Sequence, residues 1–242
     1  MNGIEQNYYL FGKFSEYLGC EDITQFIDEI CNDQNIIPAF EEKVKNVDQF
    51  KTKKFNNIFD FRFFRLLMYV ITRVRKPTVF IETGVMHGLT SSFILEAIKK
   101  NQKGKLISID YPSYFDLGPS NKDGYLDTLP PNKEPGWIIS EENLKQWDLR
   151  IGRSIDVLPK LEMPDLPIDI FLHDSEHTYE TMTFEMEFAW KNMSPNGILI
   201  VDNIDNNDSF YDFCKNKQKT PLLLSTPDNR HTFKVRFGLL TK

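Results

Sequence analysis

TVFIETGVMHGLTS, residues 78–91, joins a short apolar run to an acid and then to two glycines four residues apart. Val79, Phe80 and Ile81 form the continuous apolar run of a parallel strand covered on both faces. Gly84 and Gly88 permit a sharp turn and the approach of a ligand to backbone that a Cβ would shield. Leu89, Phe93, Ile94, Ala97 and Ile98 then share one helical face, and Asn101 and Gly104 mark its end. The unit is strand, glycine turn, helix. It lacks the third glycine of a dinucleotide fingerprint, and Glu82 before the turn would repel a diphosphate and prefer a cation or hydroxyls.

A second strand follows at Lys105 to Asp110, and its terminal acid lies roughly 20 residues beyond the glycine turn, where a carboxylate meets ribose hydroxyls. Glu82 and Asp110 thus describe a pocket for a nucleoside without a phosphate chain. The segment Glu82-Thr83-Gly84-Val85-Met86-His87-Gly88 resembles the first motif of the class I S-adenosylmethionine-dependent methyltransferases, and the likeness runs from about Thr78 to the C-terminus. It implies an α/β, Rossmann-like fold with a mostly parallel seven-stranded sheet and a reversed last strand. Glu82, Thr83, Gly84, Gly88, Asp110, Tyr111, Ser154 and Asp174 would then surround the cofactor, S-adenosyl-L-methionine. Similar enzymes often read Gly-Asp-Ser after the third strand, against the adenine; here Gly152 and Ser154 match but Arg153 replaces the acid.

The fourth strand, Ile168 to Leu172, ends in His173-Asp174-Ser175-Glu176-His177, and the fifth, Ile198 to Val201, ends in Asp202-Asn203. Adjacent parallel strands would bring Asp174, Asp202 and Asn203 to one edge of the sheet, and three oxygen ligands suit a hard cation such as Mg²⁺. The arrangement is similar to the metal-dependent O-methyltransferases of the catechol and caffeoyl type, which hold their metal with an Asp after strand four and an Asp-Asn pair after strand five. Those enzymes commonly carry a lysine base three residues after the first Asp. This chain has His177 there, a suitable general base near neutral pH. A competing reading makes Asp174 a helix cap and leaves Asp202 and Asn203 in a polar loop.

The 242 residues suffice for one large domain and an appendage, a helical cap over 1–76 and a cofactor-binding domain over 77–242. In the cap, Ile23, Phe26, Ile27 and Ile30 form a stripe, and a longer helix is expected from about Asn56 to Arg75, with Arg73, Arg75 and Lys76 as its solvated end. Phe59, Phe61, Phe63 and Phe64 should pack on the sheet or on a second copy of the chain, giving a homo-oligomer through these helices. Residues 111–146 break the α/β rhythm with prolines, glycines and the aromatics Tyr111, Tyr114, Phe115, Tyr125 and Trp137, as a lid over the site would. A short helix is expected from Ser140 through Trp147, a turn at Ser194 to Gly197, and a closing antiparallel pair of strands at Pro221–Ser225 and Thr232–Leu240, joined by a turn at Asp228-Asn229 with His231 beyond.

The formal net charge of -6 provides no global field for nucleic acid, and no apolar run reaches the length of about 18 residues that spans a membrane. Three cysteines, Cys20, Cys31 and Cys214, have neither metal-ligand spacing nor an even count for disulfides. A cytoplasmic enzyme is expected, one that O-methylates a small organic acceptor with a divalent metal. Alternatives are a metal-independent methyltransferase using His177, a non-catalytic nucleoside-binding protein, and a nicotinamide or sugar-nucleotide enzyme.

Overall fold

A computed structural model describes residues 3–50, 58–61, 63–112, 129–161, 167–225 and 237–242. Among these, four α-helices precede the sheet: α1 (Gly3–Leu18), α2 (Thr24–Cys31), α3 (Ile36–Val44) and α4 (Phe63–Arg75). The chain then alternates through β1 (Val79–Thr83), α5 (Leu89–Asn101), β2 (Lys105–Asp110), β3 (Trp147–Ile151), α6 (Ser154–Val157), β4 (Ile168–His173), α7 (Tyr179–Asn192), β5 (Met193–Val201), α8 (Ser209–Lys217), β6 (Leu222–Leu224) and β7 (Phe237–Thr241). The sheet order is β3-β2-β1-β4-β5-β7-β6. Strands β1 to β5 run parallel, and β7 runs antiparallel to both β5 and β6. The expected reversed strand is therefore present.

Winding reverses at β1, with β2 and β3 on one side and β4 and β5 on the other. Such a switch point opens a crevice at the carboxyl ends of the strands. The register pairs Thr83 with Ile109 and His173, Asp110 with Ile151, and His173 with Val201, so every acid expected at a strand end lies along one edge.

Side-chain alternation splits the sheet between two apolar layers. Phe80, Leu106, Ile170, Leu172 and Ile200 pack with α4, α5 and the first three helices, whereas Ile81, Ile109, Phe171, Leu199 and Val201 pack with α7 and α8. The aromatic residues of the first helices fill the former layer: Phe61 lies 5.0 Å from Phe40 and 5.6 Å from Phe93, Phe63 lies 4.8 Å from Phe11, and Phe64 lies 5.0 Å from Phe237. These rings meet partners within the chain, on the sheet side.

Four local expectations need correction. The long helix starts at Phe63, because Ile58–Phe61 form a separate 3-10 turn whose last carbonyl accepts a bond from the Arg65 guanidinium at 2.9 Å. Arg73 is not solvated: its guanidinium bonds both oxygens of Glu29 at 2.7 and 2.9 Å. The short helix is a 3-10 turn over Asn143–Gln146, and Trp147 opens β3 because its indole donates to Ser108 Oγ on the next strand at 2.8 Å. Residues 194–197 are looped out inside β5, whose pairing with β4 jumps from Ile168↔Met193 to Ile170↔Ile198. The start near Asn56, Tyr114, Phe115, Tyr125, the turn at Asp228-Asn229 and His231 lie outside the described residues, as does the side chain of Phe59.

The glycine turn is shaped by protein contacts. A Cβ on Gly84 (φ +86°) would lie 1.9 Å from the Asp174 carbonyl oxygen, and one on Gly88 would lie 2.7 Å from the Gly136 Cα. At both positions the space that a Cβ would need is taken by backbone of the chain itself. Gly84→Ala is expected to cost more than about 3 kcal/mol in urea unfolding or to prevent folding. Gly12→Ala, in α1 with nothing within 4 Å of its added Cβ, should instead gain roughly 0.5–1 kcal/mol.

Candidate active site

Glu82 ends the apolar run of β1 and is fully buried. Its Oε2 accepts from Ser91 Oγ at 2.7 Å and Ser108 Oγ at 2.8 Å, while Oε1 has no hydrogen-bond partner among the described residues. Burial pushes its carboxyl up to about 7. On the neighbouring strand, Asp110 Oδ2 accepts the backbone N–H groups of Val85 (3.1 Å) and Met86 (2.6 Å), so this acid clamps the glycine turn from below. Those bonds hold Met86 at φ +50°, an uncommon conformation for a long side chain. Asp110 itself is raised above the usual carboxylate range by burial. Tyr111 follows, 43% exposed, and lines a cavity of about 540 Å³ with Ile151, Gly152 and Arg153.

Thr83 and Ser154, both expected at the cofactor, have their hydroxyls turned toward a residue that pattern reading passed over. Glu185 of α7 is fully buried and accepts from Thr83 Oγ1, His173 Nδ1 and Ser175 Oγ, each at 2.6 Å, and from Ser154. Burial works against its charge, but the His173 imidazole and these donors hold its carboxyl below the usual range. The signal was present in the sequence: Met182, Glu185, Met186 and Ala189 fall on one helical stripe, and an acid on an apolar stripe needs a partner.

At the ends of β4 and β5 the structure brings Asp174, His177 and Asp202 together, with one ligand atom of each within 4.8 Å of the others. Asp174 is pushed well up, first by burial and then by the Asp202 carboxylate, with which it shares a hydrogen bond. Two acids so placed need either a shared proton or a cation, and the oxygen-rich set with one imidazole suits a divalent ion. Asn203, at φ +50°, points its Nδ2 at His177 Nε2 over 3.2 Å. Arg65 of α4 acts on Asp174 through its charge. The cap of Thr178 on α7 comes from its own side chain, which accepts from the Thr181 N–H; Asp174 does not cap that helix. His173 is buried in the Glu185 network, and His87 accepts from Trp137 Nε1 at 3.0 Å as part of the wall.

The model of the family described as "Methyltransferase domain" matches residues 81–204, just over half of the chain, from the glycine turn to the loop after β5. The chain belongs to the methyltransferase-domain family. This methyltransferase shares its fold with the O-methyltransferase TomG of Streptomyces achromogenes, involved in tomaymycin synthesis and solved in complex with SAM, at 16% identity and a TM-score of 0.59, over 88% of this chain and 91% of that one. The O-methyltransferase of Bacillus cereus in complex with SAH is alike at 13% identity and a TM-score of 0.59, over 90% and 96% of the two chains. A methyltransferase of Geobacter sulfurreducens gives 14% and 0.56, over 91% and 96%. No curated protein matches the chain in sequence. Among the described residues no helix of the methyltransferase is long and apolar enough to cross a membrane.

Two measurements follow from the buried acids. In the unfolded chain Glu82 ionises near 4.5 and in the folded one near 7, so between these values the unfolded chain releases a proton that the folded chain keeps. Stability should therefore fall as pH rises through that window, by an amount on the order of 3 kcal/mol. Urea midpoints at about pH 5 and about pH 8 should differ less in Glu82→Gln than in the wild type. Glu185→Ala leaves buried donors unpaired and should cost about 3–5 kcal/mol in thermal unfolding, more than the isosteric Glu185→Gln.

Proposed function

We propose that this protein transfers a methyl group from S-adenosylmethionine to a hydroxyl of a small organic acceptor, with a divalent cation such as Mg²⁺ at the site. The observation that carries the reading is the convergence of Asp174, His177 and Asp202 at the switch-point edge that also presents Asp110. Asp110 would hold the ribose, since its Oδ2 serves the glycine turn and its other oxygen remains available beside it. The unpartnered Glu82 Oε1 fits a polar group of the same ligand or an ordered water. Asp174, Asp202 and the Asn203 oxygen would hold the cation.

When bound, the cofactor supplies an activated methyl group for displacement, and the cation lowers the pKa of a hydroxyl beside it. His177 is the group placed to remove that hydroxyl's proton. An acceptor hydroxyl taking the place of the Asn203 amide at Nε2 would be placed to give up its proton. Trp137, packed on His87 and Phe50, would give the acceptor an aromatic boundary, as a small organic molecule requires. A cytoplasmic setting belongs to the same reading and agrees with three free thiols.

Calorimetry should show S-adenosylmethionine binding, and transfer of a labelled methyl to a panel of phenols and sugars should identify the acceptor. His177→Ala is expected to slow transfer by roughly 10²–10⁴ without changing cofactor affinity. EDTA should abolish transfer and Mg²⁺ restore it; transfer that survives EDTA would select the metal-independent route.

A further inference from the structure

Arg153 follows β3 and Glu176 follows β4, and their side chains form an ion pair, Nη2 to Oε2, at 3.1 Å. Those strands are not neighbours. β2 and β1 lie between them, so the pair reaches across the carboxyl ends of the strands that present Asp110 and Gly84. At about 4.8 Å between adjacent strands, the axes of β3 and β4 are about 14 Å apart. A nucleoside whose ribose is held by Asp110 has to place its base beside the next residue, Tyr111, which shares the cavity with Gly152 and Arg153. The base therefore meets the ion pair.

An adenine presents a 6-amino donor, and burying it against the turn after β3 leaves it in need of an acceptor. Arg153 has only donors. The Ser154 hydroxyl donates to Glu185 below, and Ser154 is buried. Glu176 is a carboxylate bonded by the guanidinium through Oε2, with lone pairs beyond the one that Arg153 occupies. Asp156, the acid that lines this cavity, lies within α6, farther from the strand end and exposed, whereas Glu176 reaches the cavity's edge through its pair with Arg153.

We propose that Glu176, oriented by Arg153, accepts the hydrogen bond of the cofactor's 6-amino group and so supplies the acid that the turn after β3 lacks. This role rests on the S-adenosylmethionine reading above. It accounts for an arginine at a position where a donor alone would face a donor: the arginine recognises Glu176, and Glu176 recognises the base. It also predicts selection for a purine with an amino group at position 6.

Calorimetry on the full chain with S-adenosylhomocysteine and with its counterpart carrying hydrogen in place of the 6-amino group tests the role. The wild type is expected to favour the amino compound by about tenfold or more. Glu176→Ala should bring the amino compound down to the affinity of the other and leave that other unchanged, since only the interaction with the amino group is removed. No preference in the wild type, an equal weakening of both compounds in Glu176→Ala, or a preference lost in Asp156→Asn and kept in Glu176→Ala would each overturn the assignment. A wild type that binds neither compound would overturn the cofactor reading itself, and the role of Glu176 with it.

Discussion

A buried carboxylate with every near neighbour a donor holds this site together. Glu185 sits under the crevice on α7 and takes hydrogen bonds from the last residue of β1, the last residue of β4, the loop after β4 and the first residue of α6. Removing a carboxylate from water is expensive, and the burden is met only when each lone pair is used. Here charge-assisted bonds of about 1.5–3 kcal/mol each, together with the His173 imidazole, keep the group ionised. The consequence is geometric. Four segments that the sheet alone would leave to diverge are drawn to a common point, directly beneath Gly84 and beside Asp174.

Above that point, close approach of backbones does the rest. The Gly84 Cα passes against the Asp174 carbonyl, and Gly88 passes against Gly136. The segment after the insertion is stitched to the glycine turn by Gly136 N–H to the Met86 carbonyl and by Ile138 N–H to the His87 carbonyl. Lys43 of α3 donates to the Ile139 carbonyl, and Phe50 packs on His87 and Trp137. The N-terminal helices, residues 136–139 and the glycine turn thus form one wall of the crevice. The first helices do more than shield the sheet.

The opposite wall is acidic and divided by function. Asp110 spends one oxygen on the turn, Glu82 keeps one oxygen unpaired in the interior, and Asp174 and Asp202 share a hydrogen bond with His177 beside them. Groups of one type therefore have three fates, set by how many donors the fold brings to each. The Arg153–Glu176 pair lies at the far end, where Arg150 and Lys160 line the same cavity as Arg153.

The order of short apolar runs, each ended by an acid or histidine and followed by a turn, was enough to give β1, β2, β4 and β5, the parallel sheet and its reversed strand. Period-2 and period-3.6 patterns are local, and each strand records its own burial in its composition. Local pattern could not say where a side chain turns once its strand ends. That Thr83 and Ser154 point to Glu185, that the two glycines admit backbone of the chain itself, and that Arg153 finds Glu176 across two intervening strands were decided by tertiary packing, because each partner lies at least 20 residues away in sequence and becomes a neighbour only when the sheet closes.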